Sequence, residues 1–120
     1  MSFLLEQAFS VAEILKQNKH TVSVAESRTG GLISANLLAV PGASSFYRGG
    51  SVVYTKKSRL AFLNLDLEKL RILRPLSEEM VIEFARGAQA KLCTTWGVAE
   101  LGASFLYTSD DADDLLRVEL

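Results

Sequence analysis

Two stretches of the chain combine residue types and spacings that could do chemistry. The first is Ala25-Glu-Ser-Arg-Thr-Gly-Gly31, which carries two hydroxyls, Ser27 and Thr29, just before a glycine pair. If a strand runs into this stretch and a helix leaves it, the loop N–H groups and the helix dipole face one space, which suits an anion or an oxyanion. Gly30 and Gly31 would let the backbone approach a ligand closely. The same residues also admit a plainer reading, in which Thr29 caps the helix and the glycines make the turn. The second stretch is Tyr54 followed by Lys56, Lys57 and Arg59. Three cations beside a phenol could neutralise a phosphate or ease the deprotonation of a neighbouring hydroxyl. Alternatively they form a solvated basic turn whose tyrosine packs on a sheet.

The elements that must position these residues alternate between two periodicities. Leu4, Ala8, Val11 and Leu15 recur at helical spacing with charged and polar residues between them, which predicts an amphipathic helix. Thr21-Val-Ser-Val-Ala25 alternates apolar with small polar residues and predicts a strand over 21–25. Leu32, Ile33, Ala35, Leu37 and Leu38 predict a buried helix ending before Pro41-Gly42. The Gly, Pro and Ser density of Pro41 to Gly50 predicts a loop, and Ser51-Val-Val-Tyr-Thr55 a second strand over 51–55, followed by a short helical turn through Leu63. Ser77 is a good N-cap, with Glu78 and Glu79 in the first turn and Val81, Phe84, Ala85, Ala88 and Leu92 on one apolar face. A third strand is expected over 97–101, beginning from Trp96. Strands alternating with helices indicate a layered α/β domain.

Composition narrows the class of protein. A chain of 120 residues fits a single domain, and 48% hydrophobic with 22% charged residues is the balance of a folded globular protein rather than a disordered or fibrous one. No apolar run reaches the ~20 residues needed to span a bilayer, so the chain reads as unsecreted, without a membrane partner and cytoplasmic. Cys93 is the only cysteine and His20 the only histidine, which offers no disulfide framework and no metal-site spacing. Cys93 is expected to pack in reduced form and His20 to lie in a solvated turn. Residues 1–104 carry twelve Lys and Arg against nine Asp and Glu, a net of +3, whereas residues 105–120 carry one Arg against five acids, a net of −4. A mildly basic body suits a small anionic ligand better than nucleic acid, because aromatic residues are not interleaved with the basic ones.

Four segments, Ala25-Glu-Ser-Arg-Thr-Gly-Gly31, Val40-Pro-Gly-Ala-Ser-Ser45, Gly49-Gly-Ser-Val-Val-Tyr54 and Leu76-Ser-Glu-Glu79, stand in the order and at about the spacing found in the CinA C-terminal domain. The chain resembles that family over roughly residues 3–104. The resemblance implies a three-layer α/β/α domain with a central sheet. It also implies an amidohydrolase that removes the carboxamide nitrogen of nicotinamide mononucleotide, giving nicotinate mononucleotide and ammonia without a metal or cofactor. Carried onto this chain, the family's nucleophile falls on Ser27, its active-site tyrosine on Tyr54, and its substrate-contacting serine on Ser44. The loop amides of Thr29, Gly30 and Gly31 would then stabilise an oxyanion, and Arg59 with its neighbours would hold the phosphate.

Two departures accompany the resemblance. The family's base is a lysine five residues after the tyrosine, and here that position is Arg59, which stays protonated and cannot accept a serine proton. Lys56 and Lys57 are the alternative bases. The glycine-rich loop expected after the third strand begins at Glu100-Leu-Gly-Ala-Ser104 but gives way to Phe105-Leu-Tyr-Thr, where the charge changes sign. Residues 1–104 therefore read as the CinA-like domain, incomplete at its end, and 105–120 as a divergent acidic segment. The sheet edge left by the missing end would be patched by Leu115-Leu-Arg-Val118 or remain open, and an open edge favours pairing with a second copy. Weak or absent turnover follows from both departures, with a silent binding or interaction module as the other reading.

Overall fold

The computed structural model describes residues 2–102 and 114–119. In chain order these form α1 (Ser2–Asn18), β1 (Val22–Glu26), α2 (Leu32–Leu38), β2 (Tyr47–Val52), α3 (Lys56–Leu63), α4 (Leu67–Leu70), α5 (Glu78–Leu92), β3 (Trp96–Gly102) and β4 (Asp114–Glu119), with a 3₁₀ turn at Ala43–Ser45. The strands make one sheet in the order β2-β1-β3-β4. β1 lies parallel to both β2 and β3, and β4 runs antiparallel along the far side of β3.

Alternation along β1 divides the core in two. Val22 and Val24 join Ala8, Ala12, Leu15 and Leu37 under α1 and α2. Ala25 faces the opposite way, into the cluster of Met80, Val81, Phe84, Ala85 and Ala88 on α5 with Ala99 of β3. A sheet with helices packed on both faces is the three-layer α/β/α arrangement that the pattern predicted. The central strand is buried along its whole length.

The expected cap of the fifth helix is met, and two further local features accompany it. Ser77 caps α5 by accepting from the Met80 N–H at 3.2 Å. Thr55 and Ser58 form a reciprocal capping box at the start of α3. α5 presses against β3 so closely that a Cβ on Gly97 would run into the Ala85 carbonyl.

Other expectations are corrected. The second strand spans 47–52 rather than 51–55, so Tyr47 to Gly50 is strand and not loop. Gly50 belongs there for packing: a Cβ would stand 2.7 Å from both Ser34 Oγ and Tyr47 Oη and 3.1 Å from the Val24 carbonyl oxygen. α2 is not a buried helix, since Leu32 and Leu38 are exposed and only Asn36 and Leu37 are fully buried. Cys93 is exposed at the left-handed C-cap of α5. His20 is not simply solvated, because its Nδ1 accepts from Trp96 Nε1–H at 3.0 Å. Of the acidic segment, 114–119 forms β4, which covers the outer edge of β3; Phe105-Leu-Tyr-Thr lies outside the described residues. No helix among the described residues is long and apolar enough to cross a membrane.

Candidate active site

Ser27 is the first residue after β1 and is only 3% exposed. The turn that carries it is held by two glutamates rather than by backbone pairing. Glu26, 1% exposed, ends β1, and Glu100, 3% exposed, stands on β3 one residue beyond the Ala25–Ala99 pair. The two carboxylates are therefore neighbours on parallel strands, on the sheet face that carries α1 and α2.

Their hydrogen bonds account for most of the turn. Glu100 Oε1 accepts from the N–H of Ser27 at 2.9 Å and of Thr29 at 3.1 Å, while Oε2 accepts from the Arg28 N–H at 3.3 Å. Glu26 Oε1 accepts from the N–H of Gly31 at 3.1 Å and of Ile33 at 3.0 Å, and Oε2 from that of Ser34 at 3.0 Å. The Thr29 hydroxyl lies between them, 2.7 Å from Glu26 Oε1 and 2.6 Å from Glu100 Oε1. Buried carboxylates persist when several donors replace their water, and here backbone amides supply them. Among the described residues neither carboxylate is in ion-pair contact with a Lys or Arg.

This arrangement changes the expected role of the loop. Thr29 does not cap α2, whose N-cap is Gly31 in the left-handed region with no side-chain cap bond. The amides of Thr29 and Gly31 are bound by internal carboxylates, so they are not donors for an external oxyanion. Within the turn, the Gly30 N–H is the amide with no partner among the described residues, and Gly30, at φ 63°, occupies a conformation that suits glycine. The Ser27 hydroxyl likewise has no hydrogen bond among the described residues.

The remaining predicted residues separate into three places. Val53 N–H donates to the Glu26 carbonyl at 2.7 Å, which carries the β1–β2 pairing one step further and sets Tyr54, 55% exposed, at the same carboxyl edge of the sheet as Ser27. Ser44 lies in the 3₁₀ turn before β2, where Phe46 and Tyr47 meet Val22 at the amino end of β1. The fold thus brings Ser27, Thr29, Gly30, Gly31 and Tyr54 to one edge and leaves the exposed Ser44 at the other. Arg59 points its guanidinium back onto the backbone: Nε donates to the Val53 carbonyl at 3.1 Å and Nη2 to the Tyr54 carbonyl at 3.3 Å, with the group 4.9 Å from the Phe84 ring centroid. Burial pushes its pKa down, yet a guanidinium remains a cation at ordinary pH.

Two hollows flank this edge. Lys56, Arg59, Arg71 and Glu68 line a cavity of about 260 Å³ over Leu70 and Met80, on the α5 side. Thr29 and Glu100 line a more apolar cleft of about 460 Å³ together with Val11, Ile33, Leu37 and Val98, on the α1 side. Among the described residues no group of His, Cys, Asp and Glu is placed to hold a metal ion.

Glu26 and Glu100 were not singled out as site residues from the sequence. The available signal was an ionisable residue inside an otherwise apolar strand, as in Val98-Ala-Glu-Leu101, since such a residue is buried only when it is paired or hydrogen-bonded.

A parallel three-strand core flanked by helices, with a serine-bearing turn at the carboxyl end of its central strand, defines an α/β domain with an edge site. The profile of the CinA C-terminal domain matches residues 5–104, and the chain belongs to that family. A CinA-like protein of Fervidobacterium nodosum is 40% identical over 92 residues, covering 77% of this chain and 22% of that protein. A CinA-like protein of Nostoc is 35% identical with the same coverage. The chain thus spans under a quarter of the length of these relatives. Among solved structures, the competence/damage inducible protein CihA of Agrobacterium tumefaciens superposes with a TM-score of 0.83 at 26% identity, over 96% of this chain and 72% of its own. The competence damage-inducible protein A of Klebsiella pneumoniae gives a TM-score of 0.81 at 23% identity, over 97% and 80% respectively, and shares the fold.

Proposed function

We propose that this domain binds nicotinamide mononucleotide and acts on its carboxamide through Ser27, with turnover well below that of an amidohydrolase that carries a lysine base. The observation that supports this reading most directly is the placement of Ser27 and Tyr54 at the carboxyl ends of adjacent parallel strands, joined by the Val53–Glu26 hydrogen bond. Ligand sites of α/β sheets form at that edge. In the reaction, Ser27 Oγ would bond to the carboxamide carbon as its proton leaves. The C–N bond would then break with ammonia departing, and water would release nicotinate mononucleotide and regenerate the serine. The Gly30 N–H is the turn donor open to the oxyanion, and the cavity lined by Lys56, Arg59 and Arg71 supplies cations for the phosphate.

Turnover is limited by the proton acceptor. Arg59 occupies the lysine position and its guanidinium is bound to two carbonyls and stacked on Phe84, so it supports the corner between β2 and α3 instead of taking a proton. The same observation favours the second reading, a domain that binds the nucleotide without hydrolysing it. Calorimetric titration with nicotinamide mononucleotide and an ammonia-release assay, each repeated with Ser27→Ala, test the proposal. Binding with slow, Ser27-dependent release supports the first reading, binding with no release supports the second, and no binding rejects both.

A further inference from the structure

We infer that Glu100 is a positioning residue for Ser27, reaching across from β3 to set the direction in which the turn presents its hydroxyl. The role of Ser27 as the reacting group rests on the function proposed above; the hold on the turn does not.

Ser27, Arg28 and Thr29 present three successive N–H groups, and all three bind one carboxylate from a residue more than 70 positions away. Glu26 secures the downstream half, Gly31 to Ser34, from within its own segment. Of the two carboxylates, that of Glu100 is the one that accepts from the Ser27 N–H. Its burial and its lack of a Lys or Arg partner among the described residues make these N–H groups and the Thr29 hydroxyl its whole compensation, so the carboxylate and the turn hold each other in one arrangement. Meanwhile β1 and β3 are already joined through Val22 to Ala25, upstream of the carboxylate. Removing Glu100 therefore frees the turn without unpairing the strands, which distinguishes a positioning group from one that merely supports the sheet.

Amide hydrogen exchange measured by NMR on the whole chain reads this directly and does not depend on activity. In Glu100→Ala the amides of Ser27, Arg28 and Thr29 should exchange about tenfold faster or more, while those of Val24, Ala99, Ile33 and Ser34 keep their protection. Added formate, a small carboxylate, should restore part of the protection at the three turn amides alone. Glu100→Gln, which keeps volume but removes the charge and one acceptor, should show the same local pattern more weakly and serves if the alanine variant does not fold. Unchanged exchange at Ser27 to Thr29, or equal loss across the β1–β3 ladder with no response to formate, would overturn the proposal. An absence of nicotinamide mononucleotide hydrolysis in the parent chain would count against the proposed function and leave this exchange pattern standing.

Discussion

Glu26 and Glu100 stand side by side at the ends of neighbouring parallel strands and close on one threonine hydroxyl, at 2.7 and 2.6 Å. Two buried carboxylates on the same sheet face would repel one another, and they are tolerated because backbone amides from six positions of the turn and of α2 surround them. The candidate nucleophile turn is thus shaped by side chains of the sheet.

Replacing the local member of this pair should loosen the start of α2. Glu26→Ala leaves the N–H groups of Gly31, Ile33 and Ser34 without their acceptor, and a loss of about 2–3 kcal/mol in urea unfolding is expected. A change below about 0.5 kcal/mol, the range of ordinary surface substitutions, would show that water satisfies these amides equally well.

Arg59→Lys separates the two functional readings. A lysine there can lose a proton where arginine cannot, so ammonia release from nicotinamide mononucleotide should rise, by about 10²-fold if general-base catalysis is the missing element. The same change gives up the paired bonds to the Val53 and Tyr54 carbonyls and the stacking on Phe84, at about 1 kcal/mol of stability. The gain must vanish in the double variant with Ser27→Ala. A stable Arg59→Lys protein that binds the nucleotide and releases no ammonia would place the defect elsewhere.

The contact between Trp96 and His20 offers an optical test of the amino-terminal end of the sheet. Trp96 is the chain's only tryptophan, and its indole N–H donates to His20 Nδ1. His20→Ala should cost about 1 kcal/mol and shift the emission maximum, because the half-buried indole exchanges a fixed partner for water. An unchanged spectrum would mean that the bond is not kept in solution.

Much of the architecture is legible from local pattern, and the exceptions have identifiable physical causes. Ser77 with Glu78 and Glu79 marks the start of α5, and the β-branched run after Thr21 marks β1, because both signals are set by neighbours in sequence. The start of β2 is missed because Gly49 and Gly50 have the composition of a loop, while the reason for Gly50, the crowding of Ser34, Tyr47 and Val24 around it, exists only after folding. Cys93 is misplaced because an apolar run does not reveal that its last residue turns into the left-handed region. At the site, the turn from Ser27 to Gly31 is recognisable from its own residues, but the carboxylate that holds it comes from 71–73 positions away, beyond the reach of any spacing rule.

Gly97 tests how closely the α5 layer is fitted. Gly97→Ala places a methyl group against the Ala85 carbonyl and 3.0 Å from Gln89 Cβ, and backbone cannot step aside as a flexible side chain would. Helix and strand must part, and a loss of about 3 kcal/mol or failure to fold is expected in denaturant titration. A variant as stable as the parent would show that α5 can shift without cost.

The same crowding bears on how this domain can diverge. The central strand is flanked by two neighbours, β2 and β3, each carrying a glycine whose missing side chain makes room for another part of the molecule. Substitutions elsewhere on those strands can be absorbed by repacking, whereas a change at Gly97 requires a layer to move and one at Gly50 requires the Ser34 and Tyr47 hydroxyls and the Val24 carbonyl to give way together. These two positions should therefore act as fixed points in distant kin whose catalytic residues have already drifted, and they would identify the scaffold where the chemistry no longer does.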